Sequence, residues 1–309
     1  MTTKTLPTTL IEAIVFFSDL NVCTQFVAAL RWPEGPVCER CGSVEYSYLS
    51  TRRLWKCKAC KRQYSVKVGT IFEDSALPLS KWLPAVWLIA NSKNGVSSAE
   101  LARSLGVTQK SAWFMLHRIR LAMKAGSLDK ISGTAEVDET YVGGLSKNMH
   151  EIDRKTKIKR GAAGHKTAVI GALERGGEVR AEVVGDTTGA TLQGFVRDNV
   201  ETGGVVHTDS ARGYIGLRDD YDHSLVDHTL GQYVNGQVHT NGIENFWALL
   251  KRSIKGTYIS VAPYHLERYV DERVFAFNHR ALPDLMRFNL VIRSAPGRRL
   301  TYDELTGKA

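Results

Sequence analysis

The sequence predicts a multidomain α+β protein, in which two small N-terminal modules precede a larger α/β domain with a mixed sheet. Three observations support this prediction. Two Cys-x2-Cys pairs lie within the first 60 residues, a pattern typical of a small metal-binding module. Apolar residues at helical spacing, interrupted by turn glycines, follow these pairs. From Thr134 onward, short apolar runs typical of strands alternate with helical stretches.

Composition and charge indicate a folded protein with a polyanionic partner. The 309 residues are 43% hydrophobic and include only eight prolines, which argues against disorder. The net charge of +9 favours nucleic acid as the partner. The sequence contains no run of 18 apolar residues and no signal-peptide pattern, so we expect no membrane span and a cytoplasmic location.

An N-terminal helical segment is assigned to residues 1–36. Apolar residues at helical spacing between residues 8 and 31 predict one helix, which ends at Trp32-Pro33. The cysteine outside the two pairs, Cys23, is interpreted as a small buried apolar residue.

Residues 37–68 carry the strongest motif in the chain, which consists of Cys38, Cys41, Cys57 and Cys60. Two short knuckles joined by a hairpin can place four thiolates tetrahedrally around one Zn²⁺, as in a zinc ribbon. Disulfides and bound iron are the alternatives, but disulfides require an oxidising compartment, for which the sequence gives no indication. We therefore expect one structural Zn²⁺, whose binding supplies most of the folding free energy of this module.

The second half of the ribbon is basic, and its cations include Arg52, Arg53 and Lys56. These side chains can balance the charge of the zinc thiolates, contact DNA phosphates, or do both. The basic character of the whole chain favours phosphate contact.

Residues 78–125 predict three helices with the layout of a helix-turn-helix. The first helix runs from about Leu79 to Ser92, a capping box at Ser97 begins the second, and the third begins near Thr108. The outward side of the third helix is predicted to enter a DNA major groove with Thr108, Gln109, Lys110, Ser111 and Arg118. A generic helical hairpin has a similar pattern, but the neighbouring ribbon and the basic chain favour DNA binding.

The α/β domain is assigned to residues 134–281, after a linker at 125–133. Strands are predicted at Glu136–Val142, Thr167–Glu174, Val179–Gly185, Val205–Asp209 and His223–Thr229. Helices are predicted at 188–200, 242–255 and 264–279. Three strands, a helix, a strand and later acid-bearing helices match a ribonuclease H-like layout. A basic insertion from Lys147 to Lys166 is predicted to be a mobile loop, and residues 282–309 a C-terminal tail.

Three acidic residues in this domain occupy positions from which they can converge. Asp138 lies on the first strand, Asp209 ends a later strand, and Glu244 lies on an amphipathic helix. Carboxylates are preferred ligands of Mg²⁺ and Mn²⁺. Two such ions, about 4 Å apart, can activate an attacking oxygen and stabilise a leaving oxygen at phosphorus. Asp138 would bridge both ions, and the other two acids would hold one each. Lys251 lies two turns beyond Glu244 on the same helix face, where it could contact a DNA phosphate.

Several short motifs jointly carry a resemblance to a known family. They are the four-cysteine pattern, Val68-Gly-Thr-Ile-Phe-Glu-Asp-Ser, Val137-Asp138-Glu139-Thr-Tyr-Val-Gly-Gly144, His207-Thr-Asp209, and His239-Thr-Asn-Gly-Ile-Glu244 with Trp247, Lys251 and Arg252. Glu244 follows Asp209 by 35 residues, a spacing characteristic of DDE recombinases. The chain resembles bacterial insertion-sequence transposases of the DDE type, in the group with an N-terminal zinc ribbon and an ISXO-two-like catalytic domain.

The resemblance implies DNA cleavage at transposon ends and strand transfer into a target, with two Mg²⁺ (or Mn²⁺) ions per active site. It also implies double-stranded DNA as the partner, namely the terminal inverted repeats and the target, and association with the nucleoid. Because two ends must be joined, we expect at least a homodimer on DNA. The alternative is a transposon-derived DNA-binding regulator without catalysis, which the full set of acids argues against.

Several positions near the site have two interpretations. In some relatives Asn occupies the third carboxylate position, so Asn241 is the alternative to Glu244 as a metal ligand and otherwise has a supporting role. Glu139 should point to the opposite strand face and is interpreted as structural. His207 and His239 are interpreted as core or surface histidines, with support of the site or DNA contact as the alternative.

Overall fold

The computed structural model describes residues 5–124, 129–144, 151, 166–226 and 238–308. Two compact units divide the chain, the first comprising Met1–Met123 with Ala281–Ala309 and the second Lys124–Arg280. Most of the basic insertion that was expected to form a mobile loop lies outside the described residues. The same holds for part of the expected linker and for the end of the last expected strand.

The N-terminal segment forms two helices instead of one. Helix α1 (Leu10–Phe16) begins at a capping box that involves Thr9, and helix α2 (Leu20–Arg31) begins where the Asp19 carboxylate accepts a backbone hydrogen bond. The Asp19 cap starts a new helix and thereby separates it from α1. Within the described part of the chain, no single helix is long and apolar enough to cross a membrane. Helices α1 and α2 together reach that length and hydropathy, with a bend of 106° between them.

The cysteine-bearing segment forms a small antiparallel sheet of β1 (Tyr46–Leu49), β2 (Leu54–Cys57) and β3 (Gln63–Tyr64), with β2 in the centre. The ring centroids of Trp32 and Trp55 lie 5.3 Å apart, and those of Trp55 and Tyr64 lie 6.3 Å apart. Trp55 and Tyr64 are both buried. The sheet therefore has a small aromatic core in addition to its cysteines.

Three helices follow close to the expected positions, α3 (Leu79–Asn91), α4 (Ser98–Leu105) and α5 (Gln109–Met123). The Ser97 hydroxyl accepts the hydrogen bond that begins α4. Gly106 ends α4 in the left-handed conformation, at φ 62°, which glycine adopts without strain.

The second unit is built on a five-stranded mixed sheet. Its strands are β4 (Ala135–Val142), β5 (Thr167–Glu174), β6 (Val179–Val184), β7 (Val205–Asp209) and β8 (Asp222–Val226). Their order is β6-β5-β4-β7-β8. Strands β4, β5 and β6 pair antiparallel, whereas β7 runs parallel to both β4 and β8. The central position of β4 therefore places its residues between a hairpin partner and a parallel neighbour.

Helices cover both faces of this sheet, because alternate strand residues point to opposite sides. On one face, α6 (Gly189–Asn199) and a 3-10 helix (Arg212–Asp219) pack on apolar strand residues such as Val137 and Ile170. On the other face, α7 (Asn241–Ser253) and α8 (Leu266–Asn278) pack on residues such as Val169 and Leu173.

The expected C-terminal tail is instead helical and belongs to the first unit. Helix α9 (Asp284–Arg293) buries Phe288, Val291 and Ile292, and the short helix α10 (Tyr302–Thr306) begins at a capping box. The Phe288 ring lies 5.3 Å from the ring of Trp87 on α3. The spacing of the apolar residues in α9 thus reflects a buried face and not a tail.

Candidate functional site

The four ribbon cysteines converge at one point. The sulfur atoms of Cys38 and Cys60 lie 3.6 Å apart, as do those of Cys41 and Cys57, and all four lie within 4.8 Å of one another. Tetrahedral Zn²⁺ with Zn–S bonds of about 2.3 Å separates its sulfur ligands by about 3.8 Å. A disulfide would need about 2.05 Å. The cysteines are thus positioned to bind a zinc ion.

The backbone around Cys57 favours the thiolate form that zinc requires. The Cys60 N–H donates to the sulfur of Cys57 at 3.5 Å. This backbone hydrogen bond lowers the pKa of the buried Cys57 thiol to about 6. The knuckle therefore prepares one ligand for the metal before the metal binds.

Two of the predicted carboxylates lie on neighbouring strands of the second unit. The parallel register pairs Ala135 with Val206 and Glu136 with His207. The same register, continued by two residues, places Asp138 beside Asp209. Burial and repulsion from the Asp209 carboxylate raise the pKa of Asp138 to about 7. A divalent cation between the two acids would relieve this repulsion, and their oxygen donors fit Mg²⁺.

The Asp138 carboxylate is held by a tryptophan on helix α7. The Trp247 indole Nε1–H donates to Asp138 Oδ2 at 3.0 Å. Gly171, which pairs with Asp138 across the β4–β5 ladder, makes room for this ring. A β-carbon on Gly171 would lie 2.7 Å from the Trp247 ring, so any larger residue would displace it.

A second acid of β4, Glu136, anchors the start of α7. Glu136 is 1% exposed, and its Oε2 accepts hydrogen bonds from the N–H groups of Gly242 at 2.7 Å and Ile243 at 3.1 Å. The negative charge also suits the positive end of the helix dipole. Gly242 has no side chain that would collide with this carboxylate, because a β-carbon there would lie 2.7 Å from Glu136 Oε2.

Arg175 connects this anchor to the neighbouring strand. Its Nε–H donates to Glu136 Oε1 at 2.8 Å, and its guanidinium also donates to His207 Nδ1 at 3.1 Å and to the His239 carbonyl at 2.9 Å. His239 Nδ1 lies 3.2 Å from Glu136 Oε1. Burial, reinforced by the Arg175 charge, lowers the pKa of His207. This cluster ties β4, β7 and the first turn of α7 together.

Glu139 faces the opposite side of the sheet from Asp138. Its Oε2 accepts a hydrogen bond from the Tyr214 hydroxyl at 2.7 Å, and Tyr214 is buried in the core on the α6 side. Burial raises the pKa of Glu139, and the Tyr214 hydrogen bond partly offsets that effect. Glu139 therefore belongs to the packing of the other face.

Glu244 and Asn241 are both exposed on the first turn of α7. The Thr240 hydroxyl, at the start of the helix, donates to Glu244 Oε1 at 3.2 Å. Among the described residues, the cysteines are the only group of three or more His, Cys, Asp or Glu side chains with all ligand atoms within 4.8 Å. The three predicted acids thus do not form a single-ion site, whereas ligands divided between two ions need not lie so close together.

Lys251 lies within electrostatic reach of the carboxylates. Burial lowers the pKa of this lysine, attraction to Asp138 opposes that effect, and repulsion from Lys255 and Lys166 adds to it. Lys251 is therefore a cation that interacts electrostatically with Asp138, and Lys255 and Lys166 lie near enough to Lys251 to repel it.

The predicted major-groove residues divide into two groups. Thr108, Gln109 and Lys110 are exposed at the start of α5, and Ser111 is half-buried. The Thr108 hydroxyl accepts a hydrogen bond from the Ser111 N–H and also bonds to the Ser111 hydroxyl. The prediction that Arg118 lies on the outward side is wrong. Arg118 is buried, and its guanidinium donates to the carbonyls of Leu300, Ile71 and Glu73. Because these donors are used inside the first unit, Arg118 is a structural residue.

The predicted phosphate contacts of the ribbon lie at its surface. Arg52 and Lys56 are exposed, and Arg53 is half-buried with a positive φ of 53° in the turn between β1 and β2.

Two family models match the chain. Residues 130–278 match the ISXO2-like transposase domain, and residues 19–63 match the transposase zinc-ribbon domain. Together the two matches cover more than half of the chain and include both sites described above. The chain belongs to the ISXO2-like transposase family.

Two relatives agree with this membership. An uncharacterized protein in transposable element ISH50 of Halobacterium salinarum is 28% identical over 239 residues, which cover 73% of this chain and 80% of the relative. An uncharacterized transposase-like protein of Haemophilus influenzae is 29% identical over 103 residues, which cover 33% of this chain and 82% of the relative.

Sequence reasoning about this transposase missed the positioning roles of Glu136, Arg175 and Trp247. Trp247 lies within the motif around Glu244, and Glu136 immediately precedes the motif around Asp138, but neither has a spacing that indicates a partner. One sequence signal was available for Glu136, since an acid amid the apolar residues of a buried strand requires a cationic or backbone partner. The identity of that partner depends on the sheet order.

Proposed function

We propose that this transposase binds the ends of its insertion sequence and catalyses metal-dependent DNA strand cleavage and strand transfer. The observation that carries the proposal is the pair of carboxylates on neighbouring strands, Asp138 and Asp209, beside the cation Lys251. Two adjacent like charges that are partly withdrawn from water are unfavourable for stability, so their presence favours a role in binding cations.

The architecture of the second unit supports assignment to the ribonuclease H-like class. An antiparallel hairpin of β4, β5 and β6 continues through two parallel strands, with helices on both faces. The acids lie on the central strand, at the end of its parallel neighbour and on the helix that packs above them.

Asp138, Asp209 and Glu244 would hold two Mg²⁺ (or Mn²⁺) ions. When bound, these ions would activate the attacking oxygen and stabilise the leaving oxygen at the scissile phosphate. Trp247 keeps one carboxylate oxygen of Asp138 in place and leaves the other for a ligand role. Lys251 would bind a neighbouring DNA phosphate through its ammonium group, and Asn241 would support the first turn of α7 or contact DNA.

DNA binding is assigned to the first unit. Helices α4 and α5 would act as a helix-turn-helix, in which Thr108, Gln109, Lys110 and Ser111 would face the major groove. Arg52, Arg53 and Lys56 of the ribbon would contact phosphates. Joining two transposon ends to a target requires at least a dimer on DNA, and such a complex would be associated with the nucleoid.

The test uses full-length protein and duplexes that carry the terminal inverted repeats expected on either side of the gene. Wild-type protein with Mg²⁺ should nick these duplexes and join them to target DNA. Asp138→Ala should bind them with similar affinity, and binding should weaken steeply with salt, but this variant should not cut. Glu139→Gln, which changes the adjacent acid on the other sheet face, is the matched control and should still cut. If wild-type protein binds the ends but never cuts them, the regulator without catalysis is correct.

A further inference from the structure

The chain that follows α7 contains a strained turn. A π-helical turn, Ile254–Tyr258, extends α7, and Ile259 then has φ 63° and ψ −55°. The Ser260 N–H donates to the Tyr258 carbonyl at 2.7 Å, which closes a γ-turn centred on Ile259. Among the described residues of the second unit, Ile259 is the only one besides glycine with a positive φ. This conformation is rare for any L-residue and most unfavourable for a β-branched one.

Burial of the Ile259 side chain does not compensate for the strained backbone. Ile259 is 80% exposed, so it has almost no packing that could offset the unfavourable backbone. A second large side chain nearby, Tyr264, is 74% exposed. The stability of the fold therefore does not explain an isoleucine at this position, and strained exposed residues are often functional.

Contacts with helix α8 hold the residues before the turn in place. The Tyr258 hydroxyl donates to Glu272 Oε1 at 2.5 Å, and the Tyr258 ring packs edge-on against Tyr269. Arg273 donates to the Ser253 hydroxyl at 3.1 Å, and both residues are buried. Because α8 fixes the residues before the turn, the strained conformation persists and presents Ile259 rigidly to solvent.

Cations immediately precede this apolar side chain. Arg252 and Lys255 are exposed, and Lys255 follows Lys251 by one helical turn on the face that leads back to Asp138. An apolar tip beside a strip of positive charge matches DNA, in which stacked bases lie between rows of phosphates. The charge of this surface favours DNA over an apolar protein partner.

We propose that Ile259 is an apolar wedge that inserts between base pairs of the bound transposon end, while Arg252 and Lys255 bind the flanking phosphates. Apolar side chains used in this way partly unstack a base step and kink the duplex. The wedge would distort DNA next to the phosphate held at the carboxylate site, so this inference rests on the proposed function.

The experiment measures base unstacking directly. Full-length protein is bound to inverted-repeat duplexes that carry 2-aminopurine at successive positions around the cleavage site, in Ca²⁺ to prevent cutting. Wild-type protein should raise 2-aminopurine fluorescence several-fold at one or two adjacent positions. Ile259→Gly should abolish the rise, whereas Ile259→Leu, which keeps an apolar tip, should retain it. Because glycine adopts a positive φ without strain, Ile259→Gly should melt at or above the wild-type temperature, which separates loss of the wedge from misfolding.

Cleavage provides a second measurement. With Mg²⁺, Ile259→Gly should cut intact duplex about tenfold or more slowly, and a mismatch at the unstacked step should restore most of the rate, because the DNA is already distorted. Ile11→Ala is the matched control, since Ile11 is an isoleucine of the first unit that is 76% exposed. This variant should behave as wild type in both measurements.

Two outcomes would overturn the wedge. One is wild-type cleavage without any rise in 2-aminopurine fluorescence, and the other is an undiminished rise in Ile259→Gly. If that undiminished rise comes with a change of oligomeric state, measured by sedimentation, the residue belongs to a protein interface. A wild-type protein that does not cleave would instead overturn the proposed function, and the wedge with it.

Discussion

The cysteine site and the proposed carboxylate site are assembled in different ways. The four cysteines come from one short segment, and their sulfur atoms already lie within 4.8 Å of one another. Asp138, Asp209 and Glu244 come from two strands and a helix that are distant in sequence. Residues that are not themselves predicted ligands support this second site, because Trp247 holds Asp138 and Glu136 holds the first turn of α7.

This difference shows what each site depends on. The ribbon should depend on its metal, because its core is limited to a few aromatic side chains and metal binding supplies folding free energy to such small modules. The carboxylate site depends on the sheet and on α7, which fold around their own apolar clusters. Loss of a cysteine ligand should therefore unfold the ribbon. Loss of one of the acids should instead leave the second unit folded but inactive.

Replacing Cys57 by Ser tests the ribbon side of the comparison and should have the largest effect. Only three thiolates remain, so zinc content should fall from about one per chain to near zero and the ribbon should unfold. The second unit should keep its melting transition. Cys23→Ser is the control, because the Cys23 thiol is buried outside the cluster and donates to the Phe17 carbonyl. A Cys57→Ser protein with full zinc content and an unchanged melt would contradict the metal dependence.

Sequence predicted the parts of the molecule that depend on local pattern. Strand β5 was predicted with the observed ends because a glycine turn follows it, and the cysteine spacing indicated the metal cluster directly. Arg118 was misplaced because helical spacing does not reveal the carbonyls of Leu300 and Ile71 that face it.

Long-range contacts explain the other differences from prediction as well. The tail interpretation failed because the partners of α9 lie on α3, almost two hundred residues earlier. Glu136 was passed over for the same reason, since its acceptor role depends on where α7 begins relative to β4.

Variants of Glu244 and Asn241 test which of these residues is the third metal ligand of the proposed carboxylate site. Glu244→Gln keeps size and shape but removes the charge that would neutralise Mg²⁺, so it should abolish Mg²⁺-dependent cleavage and spare end binding. Asn241→Ala should slow cleavage by about ten- to a hundredfold, the range typical of residues that support metal ligands. Both rates are measured on pre-bound inverted-repeat duplex. An active Glu244→Gln together with an inactive Asn241→Ala would move the third ligand to Asn241.

Glu136→Gln tests whether buried charge, and not metal, organises the second site. The substitution leaves Arg175 without its counter-charge and weakens the anchor of α7, so the free energy of unfolding should fall by about 2–4 kcal/mol. Urea denaturation followed by tryptophan fluorescence measures this loss. Glu178→Gln, at an exposed acid in the turn between β5 and β6, is the control and should change stability by less than about 0.5 kcal/mol. Equal stability of the two variants would remove Glu136 from its anchoring role.

The smallest expected effect is a gain in the free energy of unfolding, on replacement of Asp138. The pKa of Asp138 is raised from 3.8 to about 7, so the folded protein binds this proton more tightly than the unfolded chain does. The Asp138 contribution to stability is therefore present below about pH 4 and is lost as pH rises to 7. Asparagine cannot ionise and should avoid this loss. Because Asp138 is only half-buried, we expect Asp138→Asn to gain about 1–3 kcal/mol at pH 8 in magnesium-free buffer.

Magnesium distinguishes repulsion between the Asp138 and Asp209 carboxylates from a general packing effect of the substitution. Added Mg²⁺ should raise the melting temperature of the wild type, because the ion binds only the folded carboxylates, and should raise that of Asp138→Asn much less. At pH 4 the two proteins should melt alike without magnesium, since the wild-type carboxyl is then protonated. Thermal melts at both pH values measure these differences. The opposite result would be a wild type that is more stable than Asp138→Asn at pH 8 without magnesium. Asp138 would then stabilise the fold, as the metal-bound cysteines stabilise the ribbon, and the contrast between the two sites would be wrong.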